Sequence, residues 1–331
     1  MIYKGRLFMD IVVMYKEGGV VPLVVTQAHV DTMKKHVDNV HWFANEDELL
    51  ASGVDAEIIF CFAGVGTPPE RWCLQSKRLK WLNTFSAGVD PLVRSKISDL
   101  PIIVTNGKGV HSRSMGLTAL GYCVAHLRKF WDMKENQRNR VWKKPPVMGD
   151  EAVGKTLGIV GAGSIGQATA EFAKGIGFKV IGVKRKVTPL EYFDEVISDK
   201  EMDRALGMMD FVIVLTPLTE QTRHLINADR FAAMKKGAYF INQARGGVVD
   251  TNALIDALHS GHLSGAALDT VEPEPLNEDS PLWDMPNVFI TPHYSADSPL
   301  LVDRAVEQFC QNIESFKAGK PMFNLVDLKN M

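Results

Sequence analysis

The chain has 331 residues, and its hydrophobic content of 46% supplies apolar side chains for more than one core, which excludes a disordered polypeptide. Its formal net charge is −2, with 23% charged residues of both signs dispersed along its length. No like-charged block offers a footprint for nucleic acid or for an anionic membrane surface, so the expected partners are small molecules.

In chain order, the N-terminal stretch MIYKGRLFMDIVVMYKEGG lacks a sustained apolar region followed by a cleavage site. No later run has the length of a membrane span, and a cytoplasmic protein is expected. The runs MDIVVMY and PLVVT, the helical AHVDTMKKHV, then VHWFAN, AEIIFCFAG, LKWLNTF and residues 102–106 alternate strand-like with helical patterns. That alternation predicts a parallel sheet covered by helices. Residues 112–142 contain no proline and read as one mostly helical connector, halted by Pro145 and Pro146. Beyond it, KTLGIVG, FKVIGV, DFVIVL, AYFIN, SGAALD and NVFIT predict six further strands of a doubly wound sheet, with a helix from about Ser164. Leu301, Val302, Ala305, Val306, Phe309, Ile313 and Phe316 then recur at helical spacing, and the tail FNLVD is expected to return to the first lobe. The four cysteines, Cys61, Cys73, Cys123 and Cys310, lack CxxC spacing and a histidine-rich neighbourhood, so reduced buried thiols and no metal are expected.

Gly161-Ala162-Gly163-Ser164-Ile165-Gly166 is a GxGxxG motif between a strand-like run and a helix-forming one. Alone the pattern is weak. In this context the glycines sit at a strand-to-helix turn, where backbone amides and a helix N-terminus can hold a pyrophosphate. About 20 residues on, where an NAD site usually places Asp or Glu, the chain carries Lys184, followed by Arg185 and Lys186. Cations there attract a ribose 2′-phosphate, so NADP(H) is the preferred cofactor, with NAD(H) the alternative.

Three segments near strand ends, INQARGGVVD, ALDTVEPEP and ITPHYS, concentrate polar residues that a buried core would not otherwise hold. Together with the glycine motif, Asn242-Gln243-Ala244-Arg245-Gly246-Gly247, Asp269-Thr270-Val271-Glu272-Pro273-Glu274-Pro275 and Thr291-Pro292-His293 closely resemble the D-isomer-specific 2-hydroxyacid dehydrogenase family, in order and spacing over essentially the whole chain. The resemblance is to its NADP-type, glyoxylate/hydroxypyruvate reductase-like members. It implies two doubly wound parallel-sheet α/β domains. Residues 1–111 and 298–331 would form a flavodoxin-like substrate domain. Residues 112–297 would form a Rossmann dinucleotide-binding domain, with residues 112–146 as the connector through which family members dimerise, so a homodimer is implied.

The chemistry of 2-keto acid reduction gives the quoted residues roles. A carboxylate anchor and an electrophile beside the carbonyl are needed, and the permanently charged, planar Arg245 would supply both. His293 would bind substrate and exchange the proton, since imidazole alone titrates near neutrality. Glu274 would partner it, favouring the imidazolium and fixing the tautomer. Glu272 is the rival carboxylate two residues away, and the resemblance selects Glu274. By resemblance, Asp269 would face the nicotinamide carboxamide, and Thr216, Pro217, Thr222, Gln243 and Ala244 would contact the cofactor. Ser86-Ala87-Gly88-Val89-Asp90 resembles the family's substrate loop, with the amides of Ala87, Gly88 and Val89 as a second grip on the substrate carboxylate. Substrate size would depend on the loop of residues 62–67, on Trp283 and on Tyr294.

One departure stands out. Inside the connector, where related proteins commonly carry Ala-Glu, this chain has Gly116-Leu117. Competing readings are a 3-phosphoglycerate dehydrogenase, which would need a further basic grip on phosphate and whose regulated form carries a further C-terminal domain for which the short tail leaves no room. A formate dehydrogenase is disfavoured by the presence of Glu274. From another functional class, the same fold serves as a dinucleotide-sensing corepressor.

Overall fold

The computed structural model describes residues 9–14, 24–62 and 68–330. The chain divides into two compact units, residues 1–111 with 297–331, and residues 112–296.

The first unit contains β1 (Asp10–Met14), α1 (Gln27–Met33), β2 (Asn39–Phe43), α2 (Glu46–Ser52), β3 (Ile58–Cys61), α3 (Glu70–Gln75), β4 (Trp81–Thr84), α4 (Asp90–Val93) and β5 (Ile103–Thr105). The five strands are parallel in the order β2-β1-β3-β4-β5, the flavodoxin-like winding. Every residue of β3 and β4 is buried, as expected of inner strands covered on both faces. PLVVT departs from expectation. Pro22 and Leu23 lie outside the described residues, and residues 24–26 join no strand. Thr26 instead caps α1, its amide donating to His29 Nδ1 at 2.9 Å.

The second unit opens with α5 (Ser112–Leu127) and α6 (Phe130–Arg138). The connector is therefore two helices where one was expected. Lys129 between them adopts the left-handed conformation at φ 58°, which turns the chain without glycine or proline. There follow β6 (Thr156–Val160), α7 (Ser164–Gly175), β7 (Lys179–Lys184), β8 (Glu195–Ser198), α8 (Met202–Leu206), β9 (Phe211–Val214), α9 (Ala228–Ala233), β10 (Tyr239–Asn242), α10 (Thr251–His259), β11 (Gly265–Leu268) and β12 (Val288–Ile290). Seven parallel strands run β12-β11-β10-β9-β6-β7-β8, a Rossmann winding with one strand more than the six expected. The addition is β8, an edge strand in which only Ile197 is fully buried, so it lacks the apolar run that marks its neighbours.

The last helix, α11 (Leu301–Lys317), belongs to the first unit. Phe309 packs in tilted geometry against Phe60 and Trp81 at ring-centroid distances of 4.7 and 5.1 Å, covering the sheet face that α1 also covers. The tail then pairs with the edge of β5 through Leu325 and buries Leu328 on the opposite face, as FNLVD led one to expect. All four cysteines are buried free thiols, and burial pushes Cys61 up to about 12, far from a reactive thiolate. Among the described residues, no helix is long and apolar enough to cross a membrane.

Gly116 now has a physical reason. It is buried where α5 crosses α7, and a Cβ there would stand 3.1 Å from Thr169 N and 3.2 Å from the Ala168 carbonyl carbon, both backbone atoms that cannot swing away. Leu117 is exposed at 63%. Gly121 in the same helix has open space where its Cβ would lie. Alanine at an exposed helix interior gains about 1 kcal/mol over glycine, whereas overpacking costs about 1–3 kcal/mol. Urea unfolding should therefore find Gly121→Ala stabilised by about 1 kcal/mol and Gly116→Ala deprived of that gain. Equal stabilisation by both would show that the crossing does not require glycine.

Candidate active site

The glycine motif leaves β6 and enters α7. Gly161 has φ +102°, and a Cβ on it would lie 2.9 Å from the Leu215 carbonyl carbon, so conformation and space both demand glycine. At Gly166 a Cβ would meet Ile159 at 3.0 Å, which lets α7 pack closely on β6. Gly163 differs: nothing lies within 4 Å of its Cβ position, and as N-cap it offers α7 no side chain. The first amides of α7, those of Ser164, Ile165 and Gly166, thus face an open cradle at the positive end of the helix. Beside it, Thr216 Oγ1 is buried without a partner among the described residues. An anion of pyrophosphate size, with hydroxyl-bearing sugars, satisfies both features, so the residues present fit a dinucleotide.

Lys184 ends β7 half-buried, with Arg185 and Lys186 exposed after it. Among the described residues, none of the three is ion-paired. In the loop after β9, Thr222 Oγ1 donates to the Pro217 carbonyl at 2.6 Å and accepts from Thr219 N at 2.7 Å. Its hydroxyl is spent on shaping the turn that carries Thr216 and Pro217. Gln243 is buried, its Nε2 donating to Met115 O at 3.3 Å while Oε1 has no partner among the described residues. The neighbouring Ala244 amide donates to Asn242 Oδ1 at 3.1 Å, fixing the turn after β10.

That turn delivers Arg245. Asn242 donates to the Thr270 and Arg245 carbonyls, and Gly246 fits so tightly against the Val271 backbone that a Cβ would lie 1.9 Å from its oxygen. The Arg245 guanidinium is half-buried and donates to the Ala244 carbonyl at 2.8 Å. No carboxylate among the described residues pairs with it, an arrangement suited to receiving an external anion.

Across the adjoining loop, Glu274 Oε2 lies 3.1 Å from His293 Nδ1. A carboxylate on Nδ1 holds the proton there and leaves Nε2 as the outward nitrogen, with no partner among the described residues. Burial works to raise the Glu274 carboxyl. The hydrogen bond and charge of His293, the Val271 amide and the charge of Arg245 outweigh it and hold the group below the ordinary carboxylate range. Arg245, Glu274 and His293, from three strand ends, therefore share one electrostatic neighbourhood. Glu272, the rival, is engaged elsewhere: Arg223 Nη1 donates to it at 3.1 Å and His224 Nε2 lies 3.8 Å away.

His293 has φ 53°, a left-handed conformation that costs a non-glycine residue roughly 1–2 kcal/mol. Asp269 explains how it is held. This buried carboxylate accepts from Thr291 Oγ1 at 2.6 Å, from the amides of Tyr294 and Ser295 at 2.9 and 3.1 Å, and from Ser295 Oγ at 2.5 Å. Its backbone carbonyl takes the His293 amide at 2.9 Å. The Asp269 side chain, expected at the nicotinamide carboxamide, bonds to the loop that presents His293. Sequence reasoning missed this, and missed Arg223 as the partner of Glu272.

In the first unit, β4 leads into the substrate-loop motif. Ala87 and Gly88 are half-buried, Val89 is buried, and the amides of all three find no acceptor among the described residues. The loop is braced from behind. Asn106 Nδ2 donates to the Ala87 carbonyl at 2.8 Å, and the Gly107 amide donates to Ser86 O at 2.8 Å. Asn324 in the tail in turn exchanges bonds with the Asn106 backbone, donating to its carbonyl at 3.2 Å. Of the residues expected to set substrate size, Phe62 packs on Phe85 at 4.9 Å, residues 63–67 lie outside the described residues, and Trp283 donates to Asn277 O at 2.9 Å. Tyr294 is exposed beside His293.

Residues 120–295 match the family described as D-isomer specific 2-hydroxyacid dehydrogenase, NAD binding domain. Over 291 residues the chain is 33% identical to the glyoxylate reductase of Thermofilum pendens, covering 84% of both chains. It superposes on the D-isomer specific 2-hydroxyacid dehydrogenase of Xanthobacter autotrophicus, solved with NADPH and MES, with a TM-score of 0.79, 30% identity and coverage of 97% and 99% of the two chains. The NADPH-dependent glyoxylate/hydroxypyruvate reductase of Sinorhizobium meliloti, solved with NADP and sulfate, gives the same TM-score of 0.79 at 27% identity, with 97% and 99% covered. With a family model matching more than half of its length and a relative 33% identical over 84% of both chains, the chain belongs to the D-isomer specific 2-hydroxyacid dehydrogenase family, as an NAD(P)-dependent oxidoreductase that transfers hydride between a 2-hydroxy acid and its 2-keto acid.

Proposed function

We propose that the chain is an NADPH-preferring reductase of a small 2-keto acid, of the glyoxylate or hydroxypyruvate kind, with Arg245, Glu274 and His293 as its catalytic residues. The observation that carries this reading is Arg245 standing without a carboxylate of its own beside the Glu274–His293 pair. Bound NADPH supplies the hydride. Arg245 binds the substrate carboxylate and polarises the carbonyl, stabilising negative charge as it builds on oxygen. His293 Nε2 delivers the proton to that oxygen, and Glu274 orients the ring. The free amides of Ala87, Gly88 and Val89 are assigned to the substrate carboxylate as well. The cradle of Gly161, Gly163, Ser164, Ile165 and Gly166 would hold the pyrophosphate, with Thr216, Pro217, Gln243 and Ala244 alongside. Thr222 acts through the shape of its loop, and Asp269 through the loop that carries His293.

The test is the loss of NADPH absorbance with a panel of 2-keto acids that includes glyoxylate, hydroxypyruvate and 3-phosphohydroxypyruvate. Turnover of the small acids is expected. Preference for the phosphorylated acid would replace this reading with a 3-phosphoglycerate dehydrogenase, and tight NADPH binding without any turnover would favour a dinucleotide sensor.

The preference for NADPH rests on Lys184, Arg185 and Lys186, cations at the end of β7 with no ion-pair partner among the described residues. The solved relatives that bind NADPH or NADP support it. Replacing Lys184 with Asp and Arg185 with Gln should shift the ratio of kcat/KM values toward NADH by roughly tenfold or more, since a carboxylate there binds the 2′-hydroxyl and repels the phosphate. An unmoved ratio would show that these cations do not read the phosphate.

A homodimer through the connector is part of the same proposal. Between α5 and β6 the chain exposes Phe130, Met133, Val141, Trp142, Val147 and Met148, with Trp142 and Met148 at 105% and 89%. Large apolar side chains left in water at this density mark an interaction face. Sedimentation equilibrium should give twice the mass of the chain, and Trp142→Ser with Met148→Ser should shift it toward the monomer. A monomeric wild type at micromolar concentration would rule the dimer out.

A further inference from the structure

We propose that α5 carries a stripe of positioning residues, Ser114, Thr118 and Tyr122, whose hydroxyls fasten the loop that presents His293. The inference rests on the reading of His293 as the proton donor. The three residues are spaced by four, so they lie on one face of the helix, one turn apart. All three aim at the same short segment. Tyr122 OH lies 2.6 Å from Thr291 Oγ1, Ser114 Oγ donates to the Ala296 carbonyl at 2.9 Å, and Thr118 Oγ1 donates to Ser114 O at 3.0 Å with a longer reach of 3.5 Å to Ser295 O. Residues 291–296 are thereby held at both ends from α5.

The direction of the Tyr122 bond follows from its neighbour. Thr291 has one hydroxyl proton, and it goes to Asp269 Oδ1 at 2.6 Å. Tyr122 must therefore be the donor to Thr291. Tyr122 is only 4% exposed, and burial pushes its phenol up to about 12, so the proton stays on it across the working range of such a reductase. The result is a one-way chain, Tyr122 to Thr291 to Asp269, ending on the carboxylate that also takes the amides of Tyr294 and Ser295. Those residues follow His293 directly. His293 sits at φ 53°, a conformation the ring would leave if the loop relaxed, and leaving it would carry Nδ1 away from Glu274. Tyr122, which touches neither substrate nor cofactor in this scheme, acts by keeping the imidazole where Glu274 can hold it.

The experiment is Tyr122→Phe, which removes one oxygen and keeps the ring. Its kcat for keto acid reduction should fall about tenfold while KM and the Kd for NADPH stay within about twofold. The ring resonances of His293, assigned by their loss in His293→Asn, should move in the protein without cofactor. Thr291→Ser, which keeps the relay hydroxyl, should retain most of the rate, and Thr291→Val should lose it; this pair carries the test if Tyr122→Phe does not fold. Wild-type kcat and unmoved His293 resonances in Tyr122→Phe, with His293→Asn inactive, would overturn the positioning role alone. A fully active His293→Asn would overturn the reading of His293 and this inference with it.

Discussion

A carboxylate taken out of water must be given donors, and Asp269 obtains its four from one short stretch, residues 291–295. Left unsatisfied, such a group would cost several kcal/mol, more than the left-handed backbone of His293 does. The loop accordingly folds around the carboxylate, and the strained histidine is the residue at its apex. Much of the site depends on that trade. The ring is aimed, Glu274 meets it on one side, and α5 braces the same loop from the other.

Each unit fixes its candidate residues with a framework of its own. Arg245 and His293 each stand three residues beyond the ends of β10 and β12, and Glu274 six residues beyond the end of β11, on the loops that follow three parallel strands adjacent in the sheet. The turn carrying Ala87 likewise follows an inner strand, β4, with Ala87 three residues beyond its end. It is fixed through Asn106, which the tail holds through Asn324, more than two hundred residues later in the chain.

Much of this was legible in the sequence, and the parts that were not have a common cause. The inner strands declare themselves because both faces are buried, and FVIV or YFIN needs no partner to be recognised. The glycine motif is legible because each glycine answers a local demand, and Arg245, Glu274 and His293 lie in motifs whose order is informative. By contrast, β8 is a polar edge strand, and the break at Lys129 uses a residue that rarely adopts a left-handed conformation. The donors of Asp269, the pairing of Arg223 with Glu272, and the Asn106–Asn324 brace depend on which distant residues meet in space. No local pattern records that. The hydroxyls of α5 are the intermediate case: their four-residue spacing is visible, but what they face is not.

The placement of α11 has a consequence for how the polypeptide matures. The strands of the first unit are complete by Thr105, yet Phe60 and Trp81 lack the part of their cover that α11 supplies until Phe309 has been synthesised. On a ribosome adding about 5–20 residues per second, that apolar face waits on the order of ten seconds or more, during which the entire second unit emerges and can fold first. The first unit is thus the last to close, and its partly covered sheet face is open to aggregation in the interval.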